Sequence, residues 1–131
     1  MSMSLYRKLG LGIVFCWFFF GGIGHFVATD FFASIVPPYV PSPRTVVYVS
    51  GVFEILGALG ILIAATRFWA GIGLFLLTIC VTPANVHMWM HPEQFEGFSP
   101  TMLTLRLVIQ VLLLACILWS TQPPKREAAA A

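Results

Sequence analysis

Four long apolar runs alternate with short polar or proline-marked breaks along the chain, at residues 9–26, 45–65, 68–88 and 102–120. Each run is near the about 20 residues that a helix needs to cross the hydrocarbon of a bilayer. The pattern predicts an all-α fold, a transmembrane four-helix bundle, with one membrane domain over residues 1–121 and a disordered tail over 122–131. The first run follows Arg7-Lys8 as a signal peptide would. It is too long for a typical signal core, however, and ends in Gly24-His25-Phe26 rather than a small-x-small cleavage site, so it is expected to stay.

The breaks differ in character. Only Thr66-Arg67 separates the second and third runs, which predicts an antiparallel hairpin. Between the first and second runs lies a half-hydrophobic stretch, Phe31-Phe32-Ala33-Ser34-Ile35-Val36-Pro37-Pro38-Tyr39-Val40-Pro41. Asp30 can cap a short helical turn there and Pro37-Pro38 must end it, so an interfacial segment lidding the bundle is expected. Glycines crowd the first three runs, at 10, 12, 21, 22 and 24, then 51, 57 and 60, then 71 and 73. In lipid such positions let helix backbones approach closely, here within the chain rather than between copies.

Composition supports a membrane setting. Apolar residues make up 59% of the 131 and charged residues only 9%, against about 25% in soluble domains. The net charge of +2 comes from dispersed basic residues, which argues against nucleic acid as a partner. Arg7, Lys8, Arg67, Lys125 and Arg126 fall on one side of the four spans. Arg44 is the one basic loop residue on the other side, with Asp30, Glu93 and Glu96. The positive-inside rule makes the first side cytoplasmic, with both termini there and Trp69 and Trp119 at that interface; Trp89 marks the outer one. Cys16, Cys80 and Cys116 lie singly in apolar runs and read as small buried side chains, although a pair between helices stays open. No metal-ligand spacing is present.

The candidate chemistry lies in the groups a bilayer should reject. An ionisable side chain at mid-bilayer costs about 2.5–3.5 kcal/mol on insertion scales and usually faces the bundle interior. Glu54 shares its helical face with Ser50, Gly51, Gly57 and Ala58, a small-residue stripe that another helix can meet. Arg106 and Gln110 stand one turn apart in the fourth span, and Thr78, Thr82 and Asn85 form one stripe in the third. Pro83 invites a kink in that span, and His87 should face away from Asn85 unless the kink reorients it. At about 1.5 Å per residue, Glu54 lies about 13 Å below the outer start of its span and Gln110 about as deep. His25, Glu54, Asn85, Arg106 and Gln110 can therefore meet in one cluster, with Arg106 reaching inward to pair with Glu54.

Several blocks together resemble the DoxX-like family of small four-helix membrane proteins. They are Gly24-His25-Phe26, Phe31-Phe32, the stretch from Ile35 to Pro41, Ser50 to Gly57, Thr82-Pro83-Ala84-Asn85 with His87-Met88, and Leu105-Arg106-Leu107 with Gln110 and Trp119. Related chains often carry a proline between the arginine and the glutamine, where Leu107-Val108-Ile109 stand here. The resemblance implies an inner-membrane protein, some of whose relatives are associated with quinone-linked or other membrane oxidoreductase complexes. It leads to the expectation of an accessory or subunit of a membrane redox system, in contact with membrane lipid and binding a quinone-like or lipophilic molecule. A non-enzymatic assembly factor or scaffold is the alternative, and a small transporter or proton path ranks third. Turnover by this chain alone is not expected, since no nucleophile–base pair or cofactor fingerprint is present. No cofactor is fixed by the sequence. Haem between His25 and His87 ranks low, because bis-histidine spacing arises easily by chance.

Overall fold

In the computed structural model, which describes residues 3–123, the chain is helical throughout its long elements, with no strand among the described residues. Helix α1 spans Leu5–Val27 and the short α2 spans Thr29–Ser34. The other long helices are α3, Pro43–Leu62, α4, Arg67–Met90, and α5, Pro100–Thr121. The four long helices are long and apolar enough to cross a membrane, and the protein is a transmembrane four-helix bundle. All but the first two residues of the tail expected at 122–131 lie outside the described residues.

Local chemistry sets the helix ends. Ser4 accepts a hydrogen bond from the Arg7 amide at 3.3 Å, and Ser99 accepts one from the Met102 amide at 3.2 Å, each satisfying a first-turn donor. Pro43 and Pro100 occupy first-turn positions where a missing N–H costs nothing. Helix α3 stops at Leu62 rather than 65, so the expected two-residue hairpin link is a turn over 63–66. The reason is capping. Thr66 Oγ1 donates to the Gly60 carbonyl at 2.7 Å, and Arg67 donates to those of Ile61 at 2.7 Å and Leu62 at 3.2 Å. A cation on the last carbonyls of a helix also complements its dipole.

Asp30 does not cap α2. The cap position is Ala28, because a single residue separates α1 from α2, and the Asp30 carboxylate instead binds Arg44 at the start of α3. Thr29 Oγ1 donates back to the His25 carbonyl at 2.8 Å, tying α2 to the end of α1.

Around the bundle the order is α1, α3, α4, α5, each packed on its two neighbours, which leaves α1 diagonal to α4 and α3 diagonal to α5. Glycines set the closest approaches. A Cβ on Gly22 would stand 2.9 Å from the Gly51 carbonyl, one on Gly51 would stand 2.8 Å from His25 Cβ, and one on Gly71 would overlap Thr121. One apolar core, with Leu11, Val14, Phe18, Ala58, Ile61, Leu74, Leu113 and Ile117, fills the end where α1 begins. A smaller one, Ile35, Met88, Phe95 and Leu103, lies under the opposite loops. Trp69 and Trp119 face outward at the first end and Trp89 at the second, as interface anchors do. Cys16 and Cys80 also face outward rather than into the core, since each falls on the surface-facing side of its helix; Cys116 is half-buried, and all three are free.

Candidate functional site

Between the two cores the bundle is hollow. A cavity of about 500 Å³ opens there, within the range typical of small-molecule sites. Every long helix contributes to its wall: Phe18, Gly21 and His25 from α1; Val47, Ser50 and Glu54 from α3; Thr78, Ala84 and Asn85 from α4; Arg106, Gln110 and Leu113 from α5. Phe32, Ile35, Val36 and Pro37 close it from above, so the segment between α1 and α3 does lid the bundle. Trp17, Val46, Cys80 and Ile109 line the cavity and are also exposed on the outer surface, which gives the cavity side openings at bilayer depth.

All five residues expected to cluster line this one cavity. They form two separate groups within it. On the α4–α5 side, Arg106 Nη2 donates to Asn85 Oδ1 at 3.1 Å, and Asn85 Nδ2 donates to Gln110 Oε1 at 2.5 Å. Gln110 Nε2 donates to Thr82 Oγ1 at 2.6 Å, and Thr82 donates to the Thr78 carbonyl at 2.9 Å. These bonds fix which way both amides point. On the α1–α3 side, His25 Nδ1 lies 3.0 Å from both the Val47 carbonyl and Ser50 Oγ. Ser50 Oγ itself donates to the Val47 carbonyl at 3.0 Å. A carbonyl oxygen only accepts, so the Val47 contact is a hydrogen bond in the tautomer that carries a proton on Nδ1; Nε2 is the atom turned toward Glu54, 3.7 Å from its Oε1.

The expected Arg106–Glu54 pair is not made. Helices α3 and α5 are diagonal in the ring, so each charged residue takes a partner from a neighbouring helix instead: His25 for Glu54, Asn85 for Arg106. His87 lies outside the cavity. It packs against His91, with ring centres 4.6 Å apart, and against Phe95, so Asn85 and His87 do face apart. Helix α4 continues through Pro83.

Reading the sequence missed Ser50 and Thr82 as working members of the site. Both were visible as one-turn neighbours of charged or amide residues, Ser50 four before Glu54 and Thr82 three before Asn85. Trp17 carried no signal at all, because its role depends on how α1 is rotated.

The arrangement is chemically able to bind a small molecule. Hydrogen-bond donors of Arg106 and a carboxyl–imidazole pair line a largely apolar space, with the Ser50 hydroxyl 3.0 Å from His25 Nδ1. No group of three or more potential metal ligands occurs among the described residues. No curated protein and no solved structure matches the chain. A family model described as "Domain of unknown function (DUF8561)" matches residues 14–122, from within α1 to just past the end of α5. That match takes in the whole cavity and most of the chain, and the protein belongs to this family.

Proposed function

We propose that the protein is a binder of a lipophilic molecule within the bilayer, serving as an accessory or subunit of a membrane redox system. The observation that carries this reading is the lidded cavity itself: about 500 Å³, walled by all four spans, open sideways and furnished with a few fixed polar groups. An apolar space with a few convergent polar groups is the usual form of a ligand site. A quinone-like molecule suits the donors available, because its carbonyl oxygens can accept from Arg106 while its ring and tail rest on Phe18, Phe32 and Leu113. The resemblance to DoxX-like proteins points the same way. The resemblance implies a cell inner membrane, and the distribution of basic residues supports an orientation with the start of α1 and the end of α5 cytoplasmic and the lid outward.

Purification in mild detergent, followed by solvent extraction and mass spectrometry of lipids and partner proteins, tests the proposal. A co-purifying lipophile and an oxidoreductase subunit are expected. Ala84→Leu, which narrows the cavity, should deplete the lipophile without loss of folded protein. Equal recovery of every lipid from wild type and the narrowed variant would count against the reading.

One feature favours a second reading, a scaffold or assembly factor. The chain from Arg106 through Asn85 and Gln110 to Thr82 is satisfied within the protein and locks α4 to α5 without any ligand. Under that reading Glu54→Gln with Arg106→Met inserts, assembles and supports the cell as the wild type does.

A further inference from the structure

We infer that the ligand of this cavity is a single-chain amphiphile with a carboxylate head, held by Arg106. The inference rests on the reading of the cavity as a site for a lipophilic molecule, and it names the charge that molecule carries.

The first ground is charge balance. Among the described residues no carboxylate lies within ion-pair distance of Arg106; the only such pairs are His25–Glu54 and Arg44–Asp30. Glu54, the one acidic residue of the cavity, faces His25. In the tautomer that gives the Nδ1 proton to the Val47 carbonyl, the facing Nε2 and Oε1 would repel as two lone-pair atoms. One proton between them makes the contact attractive, and with it the pair is neutral overall whether the carboxyl or the ring holds that proton. Arg106 then leaves the cavity with one uncompensated positive charge inside the bilayer, an arrangement that is costly without an anion.

The second ground is geometry. Arg106 uses one donor nitrogen, on Asn85, which is itself fixed by Gln110. Among the described residues the guanidinium makes no other hydrogen bond, and Arg106 lines the cavity, where its fork can match a carboxylate with two parallel bonds. The third ground is depth. Arg106 stands six residues into α5, about 9 Å along the helix from its start and beneath the lid. A phospholipid keeps its phosphate in the headgroup layer, above that level. A free acid can bury its head there and leave its chain in the side openings beside Trp17 and Ile109.

The test uses the full chain in phosphatidylcholine nanodiscs, with Trp69, Trp89 and Trp119 replaced by Phe so that Trp17 alone reports. Dibrominated stearate and the matching dibrominated alcohol are titrated as quenchers, with a short-chain quinone run in parallel. The acid should half-saturate quenching at about tenfold lower concentration than the alcohol, the gain expected of a charge-assisted bond. Arg106→Gln should erase that difference and Arg106→Lys keep most of it. Adding phosphatidylglycerol to the nanodisc should leave the acid's curve in place. Acid, alcohol and quinone saturating alike would overturn the carboxylate inference while leaving a lipophile site standing, and so would competition by phosphatidylglycerol. No saturable quenching by any of the three would overturn both. The wild-type comparison of acid with alcohol decides the matter even where a variant fails to fold.

Discussion

At the end where α1 starts and α5 finishes, the helices touch through glycines and are held by arginines; at the other end the same four helices part around a cavity. At the closed end Gly10 lies under Trp119 and Ser120, Gly60 under Ala70, and Gly71 under Thr121. Arg7 donates to the Ser120 and Gln122 carbonyls, and Arg67 to those of Ile61 and Leu62. At the lidded end α1 and α3 still meet through Gly22 and Gly51, but the other contacts between helices are made by side-chain amides, a hydroxyl and an imidazole, and the space between is left unfilled. In lipid, where apolar side chains gain little by meeting one another, close backbone approach holds helices together and polar side chains add to it. The closed end relies on the first means, so the second is released at the lidded end to line a site.

Substitutions can break this comparison. The largest expected effect is at the closed end: Gly71→Val drives a side chain into Thr121 and should lower unfolding free energy in detergent by about 1–3 kcal/mol. Gly73→Ala, two residues on, adds a Cβ that meets nothing within 4 Å and should cost no stability. Next comes Arg67→Ala, which frees the carbonyls at the end of α3 and should cost about 1–2 kcal/mol in the same measurement. At the lidded end the effects shrink. A double-mutant cycle of Asn85→Ala with Gln110→Ala should give a coupling of about 0.6 kcal/mol, the average for such bonds in membrane proteins. Smallest is Thr104→Val, which removes the acceptor of the Trp89 indole and the donor to the Pro100 carbonyl, both exposed, and should cost about 0.5 kcal/mol. If the amide pair couples more strongly than the glycine contact resists, the division of labour between the two ends is reversed.

Much of this was legible in the residues. The four spans follow from apolar runs alone, and observed and expected helices differ by only a few residues at their ends because capping, not hydropathy, decides the last turn. The burial of Glu54 followed from its stripe of small neighbours. What the sequence concealed is the order of helices around the ring. Depth can be counted along each helix, but whether Glu54 meets Arg106 or His25 depends on which helices are adjacent and which diagonal. That is settled by the glycine contacts of α1 with α3, where Gly22 and Gly51 bring His25 beside Glu54. The outward placement of Cys16 and Cys80 was hidden for a related reason: in a bilayer an apolar side chain is as well placed on the surface as inside.

The clasp from Arg7 to the last turn of α5 carries a consequence for how the protein is made. A ribosome delivers α1 first and α5 last, so the two helices that flank this seam are the farthest apart in time. The α3–α4 hairpin, joined by a four-residue turn, can assemble while α5 is still being synthesised. Only when the final span arrives does Arg7 find its carbonyls and Arg106 reach Asn85. The cavity is therefore complete only once α5 is in place, and a nascent chain short of α5 has neither its fourth wall nor its positive charge.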